Sequence, residues 1–198
     1  IESIDPVRYI TNHSSGKMGY AIAKAAFHLG ADVTLISGPT ALKKPMGVNT
    51  IDILSADDMF NQCQQLFDEQ DYVIKAAAVG DYSPIHYEQE KIKKHDSTMT
   101  LELKKNNDIL AYLGKHKTHQ KICGFAMETQ DLIENATKKL MNKNCDMLVA
   151  NHLKTEGAGF QGDTNVVTLL FKDHQKQLEL MKKSDLAYII LNELMECE

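Results

Sequence analysis

The chain has 198 residues, 43% of them apolar, which is enough for one domain with a substantial core. Its net charge is −5, with basic and acidic side chains interleaved, so no basic stripe marks a nucleic-acid surface, and no apolar run reaches the length of a membrane span. No signal-peptide pattern opens the chain, and Cys63, Cys123, Cys145 and Cys197 show no Cys-x-x-Cys spacing, so a cytoplasmic protein with reduced thiols and no membrane or nucleic-acid partner is expected.

Residues 1–6 read as a polar connection broken by Pro6, where a chain of this kind would open on a buried strand. Residues 5–19 then crowd Arg8, Asn12, Ser14, Ser15, Gly16, Lys17 and Gly19 ahead of an amphipathic helix marked by Met18, Ile22, Ala25, Ala26 and Leu29, with Gly30 at its C-terminal end. The two glycines let a ligand approach the main chain, the helix offers unpaired N–H groups and the positive end of its dipole, and Arg8 and Lys17 add charge. Two readings fit these residues, an anion-holding loop and an ordinary turn with Ser as helix cap.

A strand is predicted over residues 32–37, closed by Gly38 and Pro39, and a second over 50–54. Ser55 with Asp58 predicts a capped helix to about Phe67, and residues 72–79 a third, buried strand. The long stretch 80–98 interrupts the alternation, and 99–103 resumes it as a strand. A helix from Asn106, Asn107 and Asp108 to about His116, a strand over 121–126, a helix over 129–142 and a buried strand over 147–150 follow. Residues 166–171 and 177–180 predict a hairpin, and 184–196 a closing helix. The sum is one α/β domain spanning 1–198: a Rossmann-like, three-layer, doubly wound, mostly parallel sheet with an antiparallel C-terminal hairpin addition.

Two common nucleotide motifs fail. Gly16-Lys17 is followed by Met18, not Ser or Thr, so this is no P-loop. The loop ahead of the first helix holds Gly16 and Gly19 but no Gly-x-Gly-x-x-Gly, and the strand ending at Ser37 runs into Gly38-Pro39 without a ribose-binding acid, so an ordinary NAD site is not expected. The eight histidines lack metal-ligand spacing, and no protein-held metal is expected.

Five stretches carry a resemblance: Asp5-Pro6-Val7-Arg8-Tyr9-Ile10-Thr11-Asn12-His13-Ser14-Ser15-Gly16-Lys17-Met18-Gly19, Ala76-Ala77-Ala78-Val79-Gly80-Asp81-Tyr82, Lys91-Ile92-Lys93-Lys94, Lys105-Asn106-Asn107-Asp108-Ile109 and Gly124-Phe125-Ala126-Met127-Glu128-Thr129. In this order the chain resembles the bacterial phosphopantothenate–cysteine ligases, the synthetase domain of coenzyme A biosynthesis flavoproteins. The resemblance implies ligation of 4′-phosphopantothenate to L-cysteine, driven by CTP through an acyl cytidylate, with Mg²⁺ arriving on the triphosphate. It also implies a homodimer, expected to use the C-terminal hairpin region. An FMN-dependent decarboxylase often forms the other half of the polypeptide, and no FMN site is expected in this chain.

Residue by residue, the resemblance makes Asn12 and Lys91 the catalytic pair. Asn12 would hold the activated carboxylate and Lys91 would reach the triphosphate, its alternative being a solvated charge run. Arg8, Ser14, Ser15 and Gly16 would meet the phosphopantothenate, Arg8 having a second reading as a loop anchor. Lys75, Ala76, Ala77, Asp81, Lys91, Asn106, Asn107, Asp108, Ile109, Phe125, Lys139 and Lys143 would hold CTP, with Phe125 also readable as core and the two helix lysines as solvated. His13 is read as an incidental loop residue, and Asp163 and Asn165 as turn formers. The family's opening strand and Gly-Gly-Thr turn are expected upstream of residue 1. Asn107 replaces a frequent Pro and Gly80 a usual Ala.

Overall fold

The computed structural model describes residues 1–93, 98–127, 131–152 and 162–197. The chain starts with a small antiparallel ribbon, β1 (Glu2–Ser3) and β2 (Tyr9–Ile10), which sequence periodicity does not reveal because each strand is two residues long. Helix α1 (Lys17–His28) follows, then β3 (Thr34–Ser37) and β4 (Asn49–Asp52), paired in parallel. Helix α2 (Ala56–Leu66) starts at the predicted capping box. Ser55 accepts from the Asp58 amide, and the Asp58 carboxylate accepts from the Ser55 amide.

Strand β5 (Tyr72–Lys75) is shorter than the predicted 72–79: it stops where Ala76, Ala77 and Ala78 begin, leaving that backbone free of the sheet. Within the supposed pause, β6 (Tyr82–Pro84) pairs antiparallel with β7 (Leu103–Lys105), two residues later than the strand predicted there. Next come α3 (Ile109–His116), β8 (Lys121–Met127), α4 (Leu132–Asn142) and β9 (Met147–Asn151). The predicted helix start at Thr129, with Lys94, Glu128 and the turn at 157–160, lies outside the described residues. Strands β10 (Thr164–Asn165), β11 (Val167–Leu170), β12 (Gln175–Gln177) and β13 (Met181–Lys182) lead into α5 (Lys183–Glu196). The predicted C-terminal hairpin is β11–β12, its second strand formed slightly earlier than expected.

The main sheet has five strands in the order β12-β11-β9-β8-β5, parallel across β5, β8 and β9 and antiparallel at β11 and β12. Alternation along its central strands divides the core. Cys123, Met147 and Val149 face α1 and α5, where Ile22, Leu186 and Ile190 pack. Ile122, Leu148 and Ala150 face the other way, onto Met59 of α2, Leu110 and Leu113 of α3 and Leu140 of α4. Helices therefore cover both faces, which is why β8 and β9 read as near-continuous apolar runs. All four cysteines are free thiols.

The β3–β4 pair shares no ladder with this sheet. Its β3 and the edge strand β5 both line one cavity of about 1140 Å³, walled also by Ile22 and Ala26 of α1 and by Met59 and Cys63 of α2.

Candidate active site

The loop between β2 and α1 borders the cavity. Gly16 takes a left-handed conformation (φ 74°) as the residue before α1, and no side chain caps that helix. An ordinary Ser-capped turn is thus not what forms. Ser14 Oγ accepts from the Gly16 amide at 3.3 Å and Ser15 Oγ from the Lys17 amide at 3.4 Å, bonds that fold the loop on itself. Thr40 Oγ1 donates to the Ser15 carbonyl at 3.3 Å, so the segment after β3 supports the loop from outside.

Asn12 joins this loop to the segment that follows β5. Its Nδ2 donates to the Val79 carbonyl at 3.2 Å and to that of Ala78 at 3.4 Å, while the residue stays exposed. Asn12, Ser14, Gly16, Lys75, Ala76, Ala77, Asp81 and Ile109 line the same cavity. Two widely separated motifs of the chain therefore meet at one mouth. Ile109 meets it through a side chain that is core, only 2% exposed.

A cluster of charge stands beyond. Lys75, on the last position of β5, donates to the Ala77 carbonyl at 3.3 Å. Burial lowers its pKa, the Lys139 ammonium lowers it further, and Asp108, Cys63 and Asp81 act in the opposite sense. Lys139 donates to the Phe125 carbonyl at 2.9 Å, and Lys143 pairs with Asp108 at 2.6 Å. Asp108 also caps α3 by accepting from the Ala111 amide at 2.9 Å. Burial pushes its carboxyl up, but the Lys143 ammonium and that amide outweigh the effect and leave it below the ordinary range. Three lysines against Asp108 and Asp81 leave a net positive corner at the C-terminal ends of β5 and β8, where open α/β sheets hold their ligands.

The other expected residues take varied places. Asn106 is buried, its Nδ2 donating to the Gly80 carbonyl at 2.9 Å and its Oδ1 accepting from Ser83 Oγ at 2.7 Å, so its side chain holds the turn that presents Asp81. Asn107 and Asp81 are exposed, and Phe125 is half-buried against the α1 and α5 side of the core. Lys91 is exposed and does not line the cavity. Arg8 is an anchor: its Nε and Nη2 donate to Asp5 at 2.9 and 2.6 Å, and Nη2 donates also to the Ile92 carbonyl at 3.1 Å. Lys17 pairs with Asp163 at 2.7 Å, and that ammonium lowers the Asp163 carboxyl. No local pattern announces a pair 146 residues apart. Among the described residues, no three His, Cys, Asp or Glu side chains converge as a metal site.

Comparison with known proteins gives a consistent picture. The family described as DNA/pantothenate metabolism flavoprotein C-terminal domain matches residues 1–197. The coenzyme A biosynthesis bifunctional protein CoaBC of Bacillus subtilis is 51% identical over 195 residues, covering 98% of this chain and 48% of that protein. Its namesake from Vibrio cholerae is 45% identical over 198 residues, covering 98% and 50%. This chain thus spans about half the length of the curated relatives it matches. A crystal structure of the C-terminal domain of a CoaBC protein superposes with a TM-score of 0.83 at 44% identity, over 98% of this chain and 88% of that one.

Proposed function

The chain belongs to the DNA/pantothenate metabolism flavoprotein C-terminal domain family, and we propose that it is the synthetase part of a coenzyme A biosynthesis enzyme. In this reading it ligates 4′-phosphopantothenate to L-cysteine at the expense of CTP. The fold is then the Rossmann-like, doubly wound scaffold of such a ligase, a cytoplasmic homodimer whose polypeptide also carries an FMN-dependent decarboxylase. The observation that carries the reading is the meeting of Asn12 with Ala78 and Val79 beside the Lys75, Lys139 and Lys143 corner.

The chemistry suits a site without a protein nucleophile. In the first step the carboxylate of phosphopantothenate attacks the α-phosphorus of CTP, an acyl–phosphate bond forms, and the bond to pyrophosphate breaks. In the second, the cysteine amine attacks the acyl carbon, the amide forms, CMP leaves, and the amine's proton passes to solvent. Both nucleophiles belong to substrates, so the protein supplies position and charge. Lys75, Lys139 and Lys143 suit the triphosphate, and Lys91 suits the departing pyrophosphate. Asn12, a neutral amide, suits the activated carboxylate without repelling it. Ser14, Ser15 and Gly16, with the uncapped end of α1, suit the second anion, the phosphopantothenate phosphate or carboxylate. Mg²⁺ would travel with the triphosphate and screen its charge, and the exposed carboxylate of Asp81 suits it.

Calorimetric titration with CTP tests the nucleotide half of this reading. Lys143→Gln removes one phosphate-facing charge and frees Asp108, so binding weakens about tenfold while the fold persists. Equal affinity in the variant, or no CTP binding by the native chain, contradicts it.

A further inference from the structure

The hairpin at residues 4–8 is the most fully bonded polar element outside the cavity, and nothing in the chemistry above uses it. The Ile4 amide donates to the Arg8 carbonyl at 2.8 Å, closing the turn. Inside it, Asp5 has no solvent-exposed side-chain surface. Its Oδ1 accepts from the Val7 and Arg8 amides, each at 2.8 Å, and its Oδ2 accepts from Arg8 Nε at 2.9 Å and Nη2 at 2.6 Å. One further donor comes from 87 residues away: the Ile92 amide, at 3.2 Å from Oδ2. Arg8 Nη2 donates to the carbonyl of the same Ile92 at 3.1 Å.

Both main-chain groups of one residue are thus clipped by a single ion pair whose carboxylate is buried. The Glu88 amide adds a bond to the Ile4 carbonyl at 3.0 Å, so the same hairpin docks the irregular segment at two points. Between β6 and β7 the described residues 85–93 form no strand, and this clip ties them to the hairpin. Lys91 immediately precedes Ile92, and Asn12 lies two residues beyond β2 on the other arm of the ribbon.

We propose that Asp5 is a positioning residue for the ligation reaction: through Arg8 and Ile92 it sets where Lys91 stands relative to Asn12. The inference rests on the functional reading above, in which Lys91 serves the nucleotide. The carboxylate form is essential to it, because five donors face two oxygens and none faces a group needing a proton. Asp5→Asn keeps the shape but turns one oxygen into an amino group that confronts N–H donors, releasing Ile92 and freeing the Arg8 fork.

The test is a double-mutant cycle on the full chain, read by pyrophosphate release from CTP with 4′-phosphopantothenate. Asp5→Asn alone is expected to lower kcat about tenfold or more, with a change in KM for CTP under about threefold, since misplacement costs the transition state more than binding. In the Lys91→Gln background, Asp5→Asn is expected to add less than about twofold, because the group it positions is already gone. The same fold-loss in both backgrounds overturns the proposal. Arg8→Lys keeps the charge pair with Asp5 but loses the Nη2 bond to the Ile92 carbonyl, and a smaller loss with the same dependence on Lys91 is expected. Hydrogen exchange provides a readout independent of turnover: the Ile92 amide exchanges about tenfold faster or more in Asp5→Asn while β8 and β9 amides keep their rates. Unchanged exchange at Ile92 overturns the clip itself. A Lys91→Gln chain that turns over normally refutes the functional reading of Lys91 instead, a result distinct from either.

Discussion

Lys75 concentrates the physical tension of the site. Its own burial at the end of the edge strand β5 and the lysine beside it both disfavour its charged form. The folded protein therefore holds this proton less tightly than the unfolded chain does, so the residue's contribution to stability improves as pH rises through its lowered pKa. Ligand binding has the opposite sign, because an anion needs the protonated form. CTP affinity should thus fall on the alkaline side at a lower pH than an exposed lysine would dictate, and Lys75→Gln should bind weakly with a flatter profile. Titrations from neutral to strongly alkaline pH check this, and parallel profiles in the two proteins refute it. At this scale, residue types and the resemblance made Lys75, Lys139 and Lys143 legible as one group, since their positions follow strand and helix ends. Asn106 was legible only as a member of the site. That its amide is spent on Gly80 and Ser83 depends on a turn which no local pattern encodes. Asp5 carried a partial signal: an Asp followed by Pro and, two residues further, Arg forms a side-chain-bonded turn, but its reach to Ile92 is tertiary.

Among the elements, α3 shows how closely the site's parts are fitted. A Cβ on Gly114 would stand 1.8 Å from the Lys143 carbonyl oxygen, a backbone atom that cannot rotate away. Asn144 Nδ2 also donates to the Gly114 carbonyl at 2.9 Å, so α3 and the end of α4 are in direct contact. Gly114→Ala must separate them, at a cost of about 3 kcal/mol or more, and must shift Lys143 from Asp108. Denaturant unfolding should show the lost stability, and CTP titration a weaker site; a variant as stable as the native chain contradicts the packing described. The helices and long strands were readable because periodicity and caps accumulate over many residues, as at Ser55 and Asp58. The β1–β2 and β6–β7 ribbons were not, since strands of two or three residues leave no alternation to count. Strand β5 was predicted too long because Ala76, Ala77 and Ala78 are apolar enough to pass as buried sheet.

For the whole molecule, the arrangement is a five-stranded mixed sheet covered on both faces, with a separate parallel pair, β3–β4, whose β3 lines the same cavity as β5. The curated relatives are about twice as long as this chain. The dimer expected of the family would cover further surface, and its placement was not legible in the sequence because oligomer contacts leave no periodic signal. In the proposed function one site performs two displacements in order, with no protein nucleophile between them, and separating the half-reactions tests this. CTP and 4′-phosphopantothenate without cysteine should release pyrophosphate in an amount close to the number of sites and leave CMP bound as an acyl cytidylate; adding L-cysteine should then release CMP and the amide together. CMP release before cysteine is added, or no pyrophosphate without it, would contradict the account.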